Sequence, residues 1–211
     1  MNKPEIILIG GGGHCKACID VIELDGGFQI AGIIDTPEKV GQNILGYPII
    51  GTDDDLKELS NKYDYFFITL GQIKSGETRT RLFQKLKSLD KTLPTIISPE
   101  SFVSKHALIG EGTIVMHRAI VNVSANIGVN CIINTKALIE HDVVIGDYCH
   151  VSTNAVVNGS CVINNSTFIA SNSTLNHGVV VGEKAIIGSG AVVVKDVSGE
   201  STWLGNPAKK M

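Results

Sequence analysis

The chain has 211 residues, enough for two modest domains and a substantial buried core. Charged residues make up 18% of it and aromatic residues 5%, which excludes a disordered chain and a nucleic-acid binder that stacks bases. The net charge of −3 gives no long-range attraction to nucleic acid or anionic lipid, and no apolar run approaches the roughly 20 residues of a membrane helix, so we expect neither kind of partner.

Residues 1–98 alternate strand-like and helix-like segments. The predicted strands are 6–9, 28–34 and 65–70, and the predicted helices are 14–24, a segment opened by three aspartates at 53–55, and 76–89. Pro48 and Gly51 mark a loop. The alternation predicts a small Rossmann-like parallel sheet in an α/β domain. Basic residues in and before the last helix are expected to be solvated: Lys74, Arg79, Arg81, Lys85 and Lys87.

Four glycines, Gly10 to Gly13, separate the first predicted strand from the first helix. The dinucleotide fingerprint Gly-x-Gly-x-x-Gly fails, because its third glycine would fall on Cys15 or Lys16. A helix N-terminus with free N–H groups remains, and it suits the diphosphate or sugar of a nucleotide-linked sugar; a turn that merely packs is the alternative. Asp35 ends the second strand, where parallel sheets commonly bind ribose or base, although a solvated turn acid is the alternative.

Every sixth residue from Val103 to Val193 is aliphatic, and the position four residues further on carries mostly small side chains. Neither a helix nor an ordinary strand has a period of six, so this hexapeptide repeat predicts a parallel β-helix. Three strands and three corners make one coil of eighteen residues, and successive coils stack about 4.8 Å apart. The residue after the aliphatic one is often Gly or Asn, and we expect these residues to be the left-handed corners: Gly110, Gly128, Gly146, Gly182, Gly188, Asn122, Asn134, Asn158, Asn164 and Asn176.

The outward faces of this prism carry many small apolar side chains, which favours a symmetric oligomer, most simply a homotrimer. Cys131, Cys149 and Cys161 occupy small-residue positions of the repeat, and we interpret them as packing residues. Cys15 and Cys18 form a Cys-x-x-Cys without the context of a redox site. With an N-terminus that leads directly into a strand rather than a signal peptide, these features predict a cytoplasmic protein.

His141 lies beside a corner between two acids, Glu140 and Asp142. A neutral histidine can remove a proton at pH 7, and a neighbouring carboxylate fixes its tautomer and raises its basicity; which acid does so stays open. His150, on the next face, suits polarising a carbonyl or ordering a cosubstrate. The alternative is that both are solvated corner residues. No metal site is expected, because ligand spacings are absent, and the remaining histidines of the repeat are interpreted as surface or oligomer-face residues: His106, His117 and His177.

The Gly-Gly-His start, the unbroken hexapeptide coil, the segment Ile-Glu-His-Asp-Val-Val-Ile-Gly at 139–146 and the ending at 203–211 together resemble one bacterial family. It is the sialic acid O-acetyltransferase and UDP-4-amino-sugar N-acetyltransferase family of left-handed β-helix enzymes, which includes UDP-N-acetylbacillosamine N-acetyltransferases. The resemblance implies a left-handed coil, a homotrimer with active sites between neighbouring subunits, and acetyl-CoA as cosubstrate. It also implies an α/β domain at 1–98 that binds the nucleotide-sugar and a catalytic β-helix at 99–211 that binds acetyl-CoA.

The implied reaction is N-acetylation of the 4-amino group of a nucleotide-linked 4-amino-4,6-dideoxysugar for surface glycan biosynthesis. Sialic acid O-acetylation is one alternative, and a non-catalytic nucleotide-sugar-binding protein is another. The resemblance makes His141 the general base and Asp142 its acid, with Glu140 as a further catalytic candidate. His150, Ser171 and Ser189 match positions that contact acetyl-CoA. The nucleotide-sugar pocket is matched by Gly12, Gly13, His14, Asp35, Gly71 and Asn134, with Thr36 where relatives carry a second acid.

Overall fold

The computed structural model describes residues 3–73 and 75–211, and its first part is an α/β sheet with helices on both faces. The elements are β1 (Glu5–Ile9), α1 (Gly13–Asp25), β2 (Gln29–Ile34), a 3-10 turn (Pro37–Lys39), β3 (Asn43–Ile44), β4 (Tyr47–Gly51), α2 (Leu56–Leu59), β5 (Tyr65–Ile68) and α3 (Glu77–Ser88). The strand order is β3-β4-β2-β1-β5, and β1 pairs in parallel with β2 and β5. The predicted parallel sheet is confirmed.

Alternating side chains of β1 pack on opposite faces of this sheet. Ile6 and Leu8 are buried in a cluster with the apolar side of α1, whereas Ile7 and Ile9 are buried in a cluster with residues of α2 and α3. Because both faces are covered, the strand is an uninterrupted apolar run, as is usual in parallel sheets. One prediction here is wrong, since the segment around Pro48 is strand β4, in which Pro48 opposes Asn43 of the edge strand β3.

The second part is a left-handed parallel β-helix, which confirms the fold predicted from the six-residue period. Its short strands are β6 (Ile96–Ile97), β7 (Phe102–Val103), β8 (Leu108–Ile109), β9 (Ile114–Val115), β10 (Ile120–Val121), β11 (Asn126–Ile127), β12 (Ile132–Ile133), β13 (Leu138–Ile139), β14 (Val144–Ile145), β15 (His150–Val151), β16 (Val156–Val157), β17 (Val162–Ile163), β18 (Phe168–Ile169), β19 (Thr174–Leu175), β20 (Val180–Val181), β21 (Ile186–Ile187), β22 (Val192–Val193), β23 (Thr202–Leu204) and β24 (Lys209–Lys210).

The strands form three sheets, and residues eighteen apart are paired within each. One sheet runs β7-β10-β13-β16-β19-β22, the second runs β8-β11-β14-β17-β20, and the third runs β6-β9-β12-β15-β18-β21-β23-β24. The aliphatic and small positions of the repeat fill the axis of the prism. Cys131, Cys149 and Cys161 are buried there as free thiols, and each lies 3.0–3.2 Å from a backbone carbonyl of the next coil, so their interpretation as packing residues holds.

The left-handed corner residues lie three positions after the aliphatic ones, not one position after as predicted. They recur every six residues from Gly112 to Gly190, with φ between 52° and 74°. The predicted glycines serve spacing instead: a Cβ on Gly110 would lie 2.7 Å from the backbone carbonyl of Gly128 in the next coil. Two of the predicted asparagines cap backbone groups, since Asn158 and Asn164 donate to the carbonyls of Leu175 (2.7 Å) and Val181 (2.8 Å).

The junction between the two parts is held by a buried arginine that the sequence placed on a solvated helix face. Arg79 of α3 is 2% exposed. Its guanidinium donates to the carbonyls of Ile68 (3.0 Å) and Leu70 (2.6 Å), and to the carbonyl (3.0 Å) and side-chain oxygen (2.7 Å) of Asn130 in the β-helix. Burial lowers the pKa of Arg79 to about 10. Lys74, predicted with it, lies outside the described residues.

A second contact crosses the junction at His117. Its ring nitrogens lie 2.7 Å from the Ser98 hydroxyl and 2.9 Å from a carboxylate oxygen of Asp20 on α1. His117 is partly exposed, and these two contacts are a role at the junction that its interpretation as a surface or oligomer-face residue did not include. Asp20 is 97 residues away in the chain, so its proximity follows from the packing of α1 on the first coils.

Candidate active site

The exposed corner that follows β13 carries His141 and its two acids. The Nδ1 atom of His141 lies 2.8 Å from a carboxylate oxygen of Asp142, and half of the imidazole surface is exposed. Since a carboxylate accepts, Nδ1 carries the hydrogen and Nε2 is free to take a proton. Asp142 is itself a left-handed corner residue, with φ 59°, a conformation that aspartate tolerates.

The other acid points to a different neighbour. Glu140 accepts a hydrogen bond from the side-chain amide of Asn122 at 3.0 Å, and a weaker one from the backbone N–H of His141 at 3.3 Å. Its carboxylate therefore fixes the loop, whereas that of Asp142 contacts the ring. The sequence left open which acid contacts the imidazole of His141, and in the structure the two acids have different partners.

Gly159, which the sequence reasoning did not single out, lies directly beneath the imidazole of His141. A Cβ at Gly159 would come within 2.6 Å of Cε1 and 2.7 Å of Nε2 of that ring. Gly159 follows His141 by eighteen residues and so occupies the same corner one coil later. The eighteen-residue spacing was the signal that could have found it.

His150 is buried at the junction and is hydrogen-bonded through both ring nitrogens. Nδ1 donates to the backbone carbonyl of Gln72 at 2.6 Å, so Nε2 is the acceptor for the amide of Asn134 at 3.0 Å. Burial lowers the pKa of His150 to about 4, with the Gln72 hydrogen bond opposing the shift and the charge of Arg79 adding to it. The ring packs on Phe168 at a centroid distance of 5.1 Å. Asn134 and His150, predicted for different ligands, are thus in direct contact.

The carboxyl ends of β1, β2 and β5 bring several predicted substrate-binding residues to one edge of the sheet. Asp35 accepts hydrogen bonds from the backbone of Gly11 (2.8 Å) and Thr36 (2.7 Å) and from Lys39 (2.8 Å). Burial raises the pKa of Asp35, but these hydrogen bonds outweigh it and the pKa is lowered. A cavity of about 300 Å³ beside this carboxylate is also lined by Thr36 and Leu70.

The N-terminus of α1 is open at the same edge. Among the described residues, a Cβ on Gly12 or Gly13 would meet no atom within 4 Å and no side chain caps the helix, so its first N–H groups are accessible to an anion. His14 follows, and a Cβ on Gly71 would lie 3.7 Å from that of His14. The Nε2 of His14 is buried without a hydrogen-bond partner among the described residues. Burial lowers the pKa of His14 to about 3, and the nearby charges of Arg79 and His150 add to this.

Ser171 and Ser189 occupy one corner in successive coils, as shown by the hydrogen bond from Gly190 N to the Ser171 carbonyl at 2.9 Å. The Ser171 hydroxyl lies 3.0 Å from that of Ser152, and Ser189 is exposed. These serines follow strands of the sheet that contains His150. His141 follows β13, in a different sheet, and therefore lies at another corner of the prism.

A larger cleft of about 590 Å³ separates the start of α3 from the face of the β-helix, with Gln72, Tyr148 and Phe168 in its lining.

Within residues 3–73 and 75–211, no three histidine, cysteine, aspartate or glutamate side chains gather into a group that could hold a metal ion. Over the same ranges no helix has the length and apolar character needed to cross a membrane.

Comparisons with known proteins give consistent matches in both parts of the chain. The family described as PglD N-terminal domain matches residues 5–86, and the family described as bacterial transferase hexapeptide (six repeats) matches residues 160–195. No curated protein matches the sequence.

Among solved structures, PerB from Caulobacter crescentus, in complex with CoA and GDP-perosamine, is 30% identical with a TM-score of 0.91, over 98% of this chain and 97% of that one. The acetyltransferase domain of PglB from Neisseria gonorrhoeae FA1090, in complex with acetyl coenzyme A, is 28% identical with a TM-score of 0.90, over 100% of both chains. The chain therefore belongs to the PglD-like N-acetyltransferase family of hexapeptide transferases.

Proposed function

We propose that this protein transfers the acetyl group of acetyl-CoA to the 4-amino group of a nucleotide-linked 4-amino-4,6-dideoxysugar, as a step in surface glycan biosynthesis. PerB, bound to CoA and GDP-perosamine, and the PglB acetyltransferase domain, bound to acetyl coenzyme A, support the reaction class. The observation that carries the proposal is the exposed pair of His141 and Asp142, with Nδ1 held by the carboxylate and Nε2 free.

In the proposed reaction, His141 Nε2 removes a proton from the substrate ammonium. The resulting amine attacks the thioester carbonyl carbon, the carbon–sulfur bond breaks, and the sulfur leaves as CoA thiolate. The nitrogen loses a second proton as the amide forms, the thiolate takes up one proton to give free CoA, and the other proton passes from His141 to water. Asp142 holds the Nδ1–H tautomer before the transfer and stabilises the imidazolium formed by it. Glu140 contributes by fixing the loop that carries His141.

We assign His150 to ordering acetyl-CoA rather than to polarising its carbonyl. Its only N–H already donates to Gln72, so the ring has none left for a thioester oxygen. Its contact with Asn134 links the cosubstrate side to the sugar side. The backbone beside Ser171 and Ser189 lines the rest of the CoA channel in this proposal, and the nucleotide-sugar lies against Gly12, Gly13, His14, Asp35, Thr36 and Gly71.

The active form in this proposal is a cytoplasmic homotrimer with sites between neighbouring subunits. His141 and the corner of Ser171 and Ser189 lie at different corners of one prism, so a neighbouring subunit is the simplest way to bring them together. Exposed apolar side chains on the outer faces, among them Phe102 (58% exposed) and Leu108 (66%), support such an assembly. Residues 1–98 bind the nucleotide-sugar and residues 99–211 bind acetyl-CoA.

The direct test is CoA release from acetyl-CoA with UDP-, dTDP- and GDP-linked 4-amino sugars. We expect turnover with at least one of them, and a loss of about 10²- to 10⁴-fold in kcat for His141→Ala, which is the usual contribution of a general base. Asp142→Asn should lose much more activity than the matched Glu140→Gln, because only the first removes the carboxylate from the ring. Turnover with sialic acid alone would replace this proposal with O-acetylation.

The non-catalytic alternative needs a separate readout. If the pure protein releases no CoA with any sugar, the Tm measured with and without acetyl-CoA decides whether the cosubstrate binds at all, since a ligand that binds only the folded state raises Tm. An unchanged Tm would remove acetyl-CoA from the proposal.

A further inference from the structure

One corner of the prism carries two histidines separated by a glycine. His141, Gly159 and His177 follow one another at intervals of eighteen residues. The backbone ladder confirms the stacking, because Ser160 N donates to the His141 carbonyl and Gly178 N donates to the Gly159 carbonyl, both at 3.0 Å.

The two imidazoles meet across the gap that Gly159 leaves. With coils about 4.8 Å apart, positions thirty-six residues apart are separated by roughly 10 Å along the axis, and a side chain between them would keep their rings apart. Their ring centroids are 6.3 Å apart, with an angle of 45° between the ring planes. This lies within the 4.5–7 Å range of packed aromatic pairs.

The contacts of His141 with Asp142 and Gly159 also determine which edge of its ring faces the gap between the two imidazoles. Nδ1 is held by Asp142, whereas Cε1 and Nε2 lie over Gly159. A ring that is tied at one nitrogen can still pivot about that hydrogen bond. Val123 holds the same corner position one coil before His141. In the opposite direction Gly159 carries no side chain, so His177 is the first side chain that the ring meets along the corner.

We propose that His177 is a positioning residue of the His141 site, and that its ring, packed across Gly159, limits the pivot of His141 so that Nε2 keeps one direction toward the amine. This rests on the proposed function. The effect is one of shape: an aromatic ring at 177 suffices, and its nitrogens take no part. A fixed direction matters because misplacing a catalytic group by about 1 Å can cost on the order of 10²-fold in rate.

The test compares His177→Ala, His177→Phe and the control His106→Ala in the full-length protein. His106 is another exposed histidine of the repeat, and its imidazole makes no hydrogen bond within the described residues. We expect His177→Ala to lower kcat about tenfold while KM for acetyl-CoA stays within about twofold. His177→Phe should retain most of kcat, and His106→Ala should match the unmodified protein.

A second readout does not depend on acetyl transfer. The rate at which diethyl pyrocarbonate modifies His141, measured by peptide mass spectrometry, should rise several-fold in His177→Ala and stay near the original value in His177→Phe. If no sugar is acetylated, the proposed function fails, yet this contrast still decides the role of His177. Equal losses in His177→Ala and His177→Phe, or no change of the His141 modification rate in His177→Ala, would overturn the positioning role.

Discussion

Replacing Arg79 by methionine removes the four hydrogen bonds that hold α3 to the end of β5 and to Asn130 of the β-helix. Hydrogen bonds from a charged donor contribute about 1.5–3 kcal/mol each, and the cost of burying the guanidinium offsets several kcal/mol of that sum. The carbonyls of Ile68 and Asn130 are buried and would lose this donor. We therefore expect Arg79→Met to lower the free energy of unfolding by about 3–5 kcal/mol, and Tm by roughly 10 °C for a chain of this length.

Arg81→Met is the matched control, because Arg81 lies on the same helix and, among the described residues, its side chain forms only an exposed ion pair with Asp53 at 3.3 Å. Such pairs contribute about 0–1 kcal/mol. Urea unfolding of both variants should be followed at one protein concentration, since assembly adds to apparent stability. Free energies of unfolding within about 1 kcal/mol of each other for the two variants would show that the buried contacts of Arg79 do not hold the junction.

Three further predictions concern other parts of the structure. Folding keeps His150 neutral down to about pH 4, whereas the unfolded chain protonates it near its usual 6.5. Stability should therefore fall as pH drops through that window, by up to about 3 kcal/mol, and urea midpoints of His150→Gln should show a shallower slope. Gly110→Ala should cost about 1–3 kcal/mol in urea unfolding through its clash with the next coil, whereas Gly13→Ala, whose Cβ meets open space, should not destabilise. Gly159→Ala should lower kcat at least tenfold with little change in Tm, because its clash is confined to the ring of His141; an unchanged kcat would contradict that geometry.

The coil was predictable because its period forces each residue to a known face. The same periodicity located His141, and adjacency in the chain put both acids within reach of it. The six-residue period could not show which acid contacts the imidazole of His141. That contact depends on the left-handed conformation of Asp142, which lies three positions after the aliphatic residue. The glycines and asparagines directly after the aliphatic residues were predicted to be the left-handed corners. In the structure the glycines allow close stacking of the coils, and asparagines cap backbone groups.

Contacts between residues that are far apart in the chain could not be predicted from the sequence. Arg79 is part of a basic amphipathic helix, and only the packing of that helix against Asn130, fifty-one residues away, makes it a buried residue. His117 meets Asp20 for the same reason. Nothing in the local pattern around either residue distinguishes it from a solvated one, so these contacts needed the three-dimensional arrangement of the two parts.

The stacking of residues eighteen apart also limits how the length of this chain can change. Deleting six residues between His141 and Ser171 would move every later strand to the next face of the prism and would place Ser171 at a different corner. Deleting eighteen would shorten the prism by one coil, about 4.8 Å, and leave each later residue on its own face. Tolerated insertions and deletions within the repeat should therefore come in whole coils, while lengths at exposed corners can vary by outward loops.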